Sequence, residues 1–290
     1  MLALFAGYSL GGGTGPRPAT APRGPSKPGS TPAEPVKLAP ADLRLRVNED
    51  LEYEILWSGV PAGITHMTVR GREHFPEKTG PEVWVVRQDT RPSRVVATFY
   101  TVRDKAISYI DVKSGFSRYF YQGRHEGNVE FEERMTADYT LGNMTAQYSS
   151  AVVRMANYKD PSGKEYWRTQ SLALNDHILD PLSALYYLRS TDLDVGKSVV
   201  LPVCTERRVW YTRVKAAEEK ESVTIPCLGG NISCLKVVPE MEYMGLFERK
   251  GEMTLWLDSK TKILVKAKVL LPIGECEIRL TGHEESPFDD

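Results

Sequence analysis

Three residues in one short stretch, His177, Asp180 and Ser183, are of the types that build a nucleophilic hydrolase. In such an enzyme a serine attacks, an imidazole takes its proton and a carboxylate orients the imidazole. That triad is defined by geometry in space, not by nearness in sequence. The same residues have a plainer reading. Asp180 precedes Pro181 and an apolar run, as a helix N-cap does, Ser183 falls in the first turn, and His177 lies in the loop before it. A second set, Glu126, Glu130, Glu132 and Glu133, could supply the paired carboxylates of glycoside chemistry. It falls in a charged hairpin pattern between Arg124 and Arg134, where alternation puts such side chains on an exposed face. Arg207, Arg208, Arg213 and Lys215 flank Trp210 and Tyr211. They could meet an anionic lipid headgroup or acidic glycan, or form the wet side of a strand whose aromatics pack inward.

The cysteines Cys204, Cys227, Cys234 and Cys276 form no C-x-x-C pair, and His66, His74, His125, His177 and His283 are scattered, so no metal site is expected. Cys227 and Cys234 flank Leu-Gly-Gly-Asn-Ile-Ser. A two-residue turn at Gly230-Asn231 would place them opposite each other, where an oxidising compartment could join them. They would then occupy a hydrogen-bonded pair, whose Cα atoms stand farther apart, so four reduced thiols are the alternative. No glycine-rich phosphate loop or nucleophile elbow occurs, and no cofactor is implied.

The 290 residues carry a formal charge of −1, without the basic excess of a nucleic-acid binder. A hydrophobic share of 41% is enough for a proper core. No run of about 18 apolar residues occurs, so no transmembrane span is expected.

Most of the chain alternates as β-strands do. Leu51, Tyr53, Ile55 and Trp57 share a face opposite Glu52, Glu54 and Ser58, and the turn-rich Gly59-Val-Pro-Ala-Gly63 follows. Ile263, Val265, Ala267 and Val269 alternate with lysines, and Cys276, Ile278 and Leu280 with charges. Further strands are expected near 82–89, 105–111, 117–124, 128–139, 144–154, 198–203, 208–217, 221–226, 233–243 and 250–258. Tyr109–Gly115 and Trp256–Lys262 each place an Asp and a Lys at a turn between such runs. One stretch breaks the pattern: from Asp180 to Arg189, Leu182, Leu185, Tyr186 and Leu188 are apolar around most of a helix. The expected fold is mainly β, a large curled antiparallel sheet forming an open or nearly closed barrel, with one short helix at about 180–190 packed on it.

Residues 1–12 resemble the apolar half of a secretory signal but lack its positively charged segment. An upstream start, an atypical signal and a simple tail are the alternatives, and no nearby cysteine offers a lipid acceptor. Residues 13–44 are rich in Pro and Gly and read as a disordered tether. Residues 45–283 read as a single β domain and 284–290 as a tail. This is the layout of an exported envelope protein.

The distinctive residues occur in a fixed order. They are Glu52-Tyr53-Glu54 with Gly59-Val-Pro-Ala-Gly63, Val102-Arg103-Asp104, then Asp180 to Arg189 with Gly196. Ile225-Pro226, Trp256-Leu257-Asp258 and Ile273-Gly274 follow. Over roughly residues 47–282 the chain resembles the bacterial exported family known as domain of unknown function 3108. The resemblance implies export, a β-rich domain and no assigned activity. Its members commonly have a P-A-G-type hairpin where this chain has Pro226-Cys227-Leu228-Gly229, a local departure that leaves the disulfide open. The general shape is similar to the unclosed barrels that carry lipoproteins across the periplasm, a likeness of fold alone.

The function expected is binding without catalysis in the periplasm or at the cell surface. The ligand would be a lipid or lipid-linked envelope component held between the concave sheet and a helix wall of Leu182, Leu185, Tyr186 and Leu188. Trp57 and Trp210 would be the inward aromatics. In the plainer version the helix only plugs the curled sheet. The alternatives are an assembly protein acting on an envelope protein partner, and an unrecognised hydrolase of envelope polymers.

Overall fold

The computed structural model describes residues 43, 45–76, 79–98, 102–126, 129–152, 168–174, 177–205, 208–243, 246–247, 252–271 and 274–284. The expected leader, and most of the tether and of the tail, lie outside them.

The N-terminal strands are β1 (Asp50–Trp57), β2 (Val60–His74), β3 (Glu82–Pro92), β4 (Val102–Asp111), β5 (Ser117–Glu126), β6 (Val129–Asp138), β7 (Asn143–Val152) and β8 (Arg168–Ala173). Helix α1 (Pro181–Ser190) follows. After it come β9 (Ser198–Thr205), β10 (Arg208–Ile225), β11 (Gly230–Tyr243), β12 (Leu246–Phe247), β13 (Glu252–Asp258), β14 (Leu264–Leu271) and β15 (Gly274–Glu284). All pair antiparallel in one sheet of order β8-β7-β6-β5-β4-β3-β2-β1-β15-β14-β13-β11-β10-β9, with β12 beside β11. β1 sits mid-sheet because it pairs with both β2 and the last strand. Among the described residues the end strands β8 and β9 do not pair, so the sheet is unclosed.

Local chemistry explains most turns. β1 and β2 join through Ser58 and Gly59 alone, both at positive φ (47° and 82°), as a tight hairpin demands. Val60 to Gly63, read above as turn, instead opens β2. A Cβ at Gly63 would stand 2.4 Å from Arg91 O, so the close approach of β2 and β3 there depends on glycine. Asp111 and Asp258 cap their turns as expected. Asp111 Oδ1 accepts from the backbone N–H of Lys113 (3.0 Å) and Ser114 (2.9 Å). Asp258 accepts from those of Lys260 (3.2 Å) and Thr261 (3.3 Å).

Three expectations are corrected. The strands expected at 208–217 and 221–226 are one strand, β10, with an irregularity between Ala216 and Lys220. β8 was not anticipated, because Arg-Thr-Gln-Ser-Leu-Ala has no apolar alternation. Cys227 and Cys234 are not opposite: β10 and β11 close at Ile225↔Gly230 around a 3-10 turn (Pro226–Leu228), and Cys234 faces Glu221. All four cysteines are free thiols.

Helix α1 crosses the concave face. Val69, Val86 and Ser108 form one cross-strand row, continued to β1 by the bond from Val69 N to Glu49 O (3.0 Å). The N-cap Asp180 is tied to Ser108 at one end of this row and Arg189 to Glu49 at the other. Three strand spacings of about 4.8 Å make roughly 14 Å. A ten-residue helix is about 15 Å long, so its length matches the row it spans. Every residue from Pro181 to Arg189 is buried. Leu182, with no solvent exposure, packs in the main core, so Leu182→Ala should cost about 2–5 kcal/mol, read from urea unfolding midpoints. A midpoint at the wild-type value would make the helix peripheral.

Candidate functional site

The segment before the helix stitches the two arms of the sheet together. Ile178 O accepts from Ser117 N (3.0 Å) at the start of β5. Leu179 forms a parallel bridge with Val203, bonding Pro202 O (2.9 Å) and Cys204 N (2.7 Å). The Tyr139 hydroxyl donates to Ser117 O (2.6 Å) and accepts from Ile178 N (3.3 Å). Burial pushes that phenol well above its ordinary pKa. His177 stacks on Phe116 (4.4 Å between centroids) and leans on Tyr139 (4.6 Å). From Leu201 to Thr205 β9 is buried on both faces, and Cys204 Sγ lies 3.5 Å from Met144 Sδ of β7.

The three residues that could have made a triad serve this junction. Asp180 Oδ1 accepts from the backbone N–H of Leu182 (2.8 Å) and Ser183 (3.0 Å), and Oδ2 from Ser108 Oγ (2.5 Å). Ser183 Oγ closes the reciprocal capping box by accepting from Asp180 N (2.7 Å). Burial raises the Asp180 pKa, and the hydroxyl bond from Ser108 works against that rise. The acid is thus a cap in a dry environment.

At the other helix end, Arg189 Nη1 and Nη2 grip Glu49 Oε2 (2.7 Å) and Oε1 (2.9 Å) in a fork, with exposures of 8% and 0%. Burial opposes the guanidinium charge, but the Glu49 carboxylate outweighs it and raises the Arg189 pKa. The Arg189 guanidinium also stands 5.2 Å from the Tyr186 ring. Beneath this half of the helix is a cavity of about 20 Å³, lined by Leu51, Tyr53, Met67, Leu185, Tyr186 and Arg189, with Leu257, Lys262 and Leu264 across from them. Tyr53 donates to Leu264 O (2.9 Å), whereas Tyr186 Oη has no partner. A space of this size fits a water molecule. Pockets that enclose a drug-sized ligand are of order 300 Å³ or more.

The expected wall residues are only partly gathered. Leu182, Leu185, Tyr186 and Leu188 are buried in one core, and two of them, Leu185 and Tyr186, line the cavity. Trp57 packs half-buried at the core's margin, at the far end of β1. Trp210 is buried opposite Val203 in the β9–β10 wall, away from the cavity lining. Arg213 and Lys215 are exposed on the wet face, as expected, but Tyr211 shares that face and does not pack inward. Glu133 is also corrected: it is 4% exposed and points inward beside Gln122, although its hairpin neighbour Glu132 lies on the outer side. The Glu49–Arg189 pair was not anticipated, because nothing local links residues 140 positions apart. Among the described residues no group of three or more His, Cys, Asp or Glu could hold a metal ion. No helix among them is long and apolar enough to cross a membrane.

Two outcomes test this anchoring. Arg189→Met alone leaves a buried carboxylate and should lose about 3–5 kcal/mol, whereas adding Glu49→Leu should recover much of it in a double-mutant cycle. Full additivity of the two changes would sink the pairing. Because the folded pKa of Asp180 lies above its unfolded value, its linkage contribution is present at low pH and lost as pH rises through the folded pKa. Asp180→Asn keeps the cap acceptor and should flatten that fall in a series of melts against pH.

A family model described as "Protein of unknown function (DUF3108)" matches residues 52–281. No curated protein matches the chain. Among solved structures, a β-barrel-like protein of domain of unknown function DUF1849 from Brucella abortus aligns with a TM-score of 0.51 at 12% identity. It covers 84% of this chain and 100% of its own. A protein described as exported, with a YmcC-like fold, from Bacteroides fragilis aligns at TM-score 0.36 and 11% identity, over 86% and 100%. One described as a lipoprotein from Parabacteroides distasonis aligns at 0.33 and 10%, over 86% and 100%. The first of these likenesses shows a shared β-barrel-like fold.

Proposed function

The chain belongs to the DUF3108 family of unknown function, and we propose that it is a non-catalytic binding domain exported to the bacterial envelope. Its ligand is a lipid or lipid-linked component, taken up between α1 and the concave sheet. The observation that supports this is the seam under the helix. Leu185 and Tyr186 face Leu51, Met67 and Leu264 across an incompletely filled gap, with Arg189 and Lys262 beside it. An acyl chain enters this seam only as the helix lifts. The helix is held at its ends by side-chain bonds, Asp180 to Ser108 and Arg189 to Glu49, which a rigid shift would break together. The binding reading also fits the engagement of Asp180 and Ser183 in capping, which leaves their oxygens committed to the fold.

Native mass spectrometry of the chain taken from envelope fractions, followed by titration with lauric acid and a phosphatidylglycerol, tests the reading. A retained or acquired lipid adduct is expected, weakened by Leu185→Trp, which fills the seam. Only the bare chain mass before and after titration would overturn it.

A second reading, assembly through protein contacts, is favoured by the sheet's asymmetry. The β9 edge is covered by Leu179, whereas β8 has a strand partner on one side only among the described residues. Crosslinking in cells would then capture a defined envelope protein, and the capture would survive Leu185→Trp.

A further inference from the structure

The two ends of the sheet differ in what they expose. At the end where β1 finishes and β2 begins, three connections lie side by side. The β1–β2 turn bonds the start of β15 (Ser58 N to Glu275 O, 2.7 Å), and the β3–β4 connection bonds the start of β2 (Ser93 N to Ala62 O, 2.8 Å). Pairing runs across this end from Val269 through Cys276 and Trp57 to Val60. Each connection carries an apolar side chain in water: Leu270, last but one in β14, is 54% exposed, Val60 62% and Val95 70%. Single apolar residues scattered over a surface need no explanation, but these share neighbouring strand ends. Val95 is held outward on a built turn. Ser93 Oγ accepts from Val96 N (3.3 Å), Ser93 O from Ala97 N (2.9 Å), and Val95 O from the Thr98 hydroxyl (2.7 Å).

Charge separates this end from the other. Arg91, Arg94 and Arg103 flank the β3–β4 connection and are all exposed. Arg91 pairs opposite Ile64, itself 41% exposed, and Arg94 precedes Val95. Acids at this end are faced by cations: Glu275 meets Lys268 (2.9 Å), and Asp89 stands opposite Lys105 between β3 and β4. At the far end the exposed apolar residues Leu141 and Val195 sit on aspartates instead. Their backbone N–H groups donate to Asp138 (3.1 Å) and Asp194 (2.9 Å). Lys197 and Lys220 there pair with Asp192 and Asp194, so that end has no comparable set of exposed arginines around its apolar residues.

We infer that the first end is a docking rim for a bilayer surface rich in anionic lipid. Val60, Val95 and Leu270 enter the boundary between headgroups and acyl chains, and Arg91, Arg94 and Arg103 bind the lipid phosphates. Apolar side chains beside cations are the combination that holds a protein at an anionic interface. Arginine suits the role, since its stem lies along apolar surface while its head reaches the phosphate. The apolar residues stand at the tips of separate connections, not on the walls of a groove, which fits a fluid surface better than a folded partner. The rim is distinct from the seam under α1, whose Arg189–Glu49 anchor lies toward the start of β1, and it does not depend on lipid uptake there.

Co-sedimentation of the full chain with vesicles of phosphatidylglycerol mixed into phosphatidylcholine, and with phosphatidylcholine alone, provides the test. Binding is expected to the anionic vesicles only, and it should fall as added salt screens the headgroups. Arg91→Ser combined with Arg94→Ser should weaken it roughly 30-fold, from the usual contribution of each cation at such a surface. Val95→Asp should weaken it as well. Both variants should melt at the wild-type temperature, because the replaced side chains lie in water. Leu141→Asp at the far end and Leu185→Trp in the seam should bind vesicles as the wild type does. No binding to the anionic vesicles, equal binding to the neutral ones, or binding unchanged in both rim variants would overturn the inference. So would a loss of binding in Leu141→Asp equal to that in Val95→Asp.

Discussion

An unclosed sheet must cover two things at once: an apolar concave face and an edge of unpaired backbone. Here one segment, 177–190, covers both. Its extended part adds a parallel bridge to β9 and bonds the start of β5, and its helical part lies across the strands from β4 to the beginning of β1. The helix is polar only where it is anchored. Asp180 satisfies the first-turn N–H groups and receives Ser108, and Arg189 meets Glu49 in a fork. Between those two points the helix is nearly all apolar and wholly buried. Without this element, the concave face would be wetted and β9 would lose its bridge to Leu179.

Anchoring by side chains has a consequence for function. A helix fixed by packing alone can slide by small steps, whereas one fixed by a buried ion pair and a buried carboxylate has one seated position. Leaving it breaks the Arg189–Glu49 fork and the Asp180–Ser108 bond together. The seam under the helix is therefore shut in the described state, with a cavity of about 20 Å³. Any ligand that uses it competes with the seated helix.

The convex face follows ordinary rules. Lys266, Lys268 and Arg279 surround Glu277 at 3.4 Å, 3.2 Å and 2.5 Å, and Trp256 Nε1 donates to Glu221 (2.7 Å), which also meets Lys236 (2.9 Å). These alternating charges are the wet side of antiparallel strands. The partly exposed Glu221–Lys236 pair contributes little, whereas Glu277 is itself buried, at 8% exposure, among its three cations.

The strands, the capped helix and the aspartate turns could be read directly from the chain because each rests on contacts within a few residues. N-capping joins Asp180 to Leu182 and Ser183, the Asp111 turn joins it to Lys113 and Ser114, and alternation is a property of one strand at a time. β8 was missed because it lacks that alternation. The cysteine register was misplaced because the actual turn runs from Pro226 to Gly229, not through Gly230-Asn231. The sequence by itself thus determined the mainly β class, the helix and the family. Only the tertiary structure decided that Glu49 meets Arg189, that Glu133 points inward beside Gln122, and that the helix closes its own seam. The reason is physical: local bonds and periodicities are written in neighbouring residues, whereas which distant side chains share a dry interior depends on how the whole sheet curls.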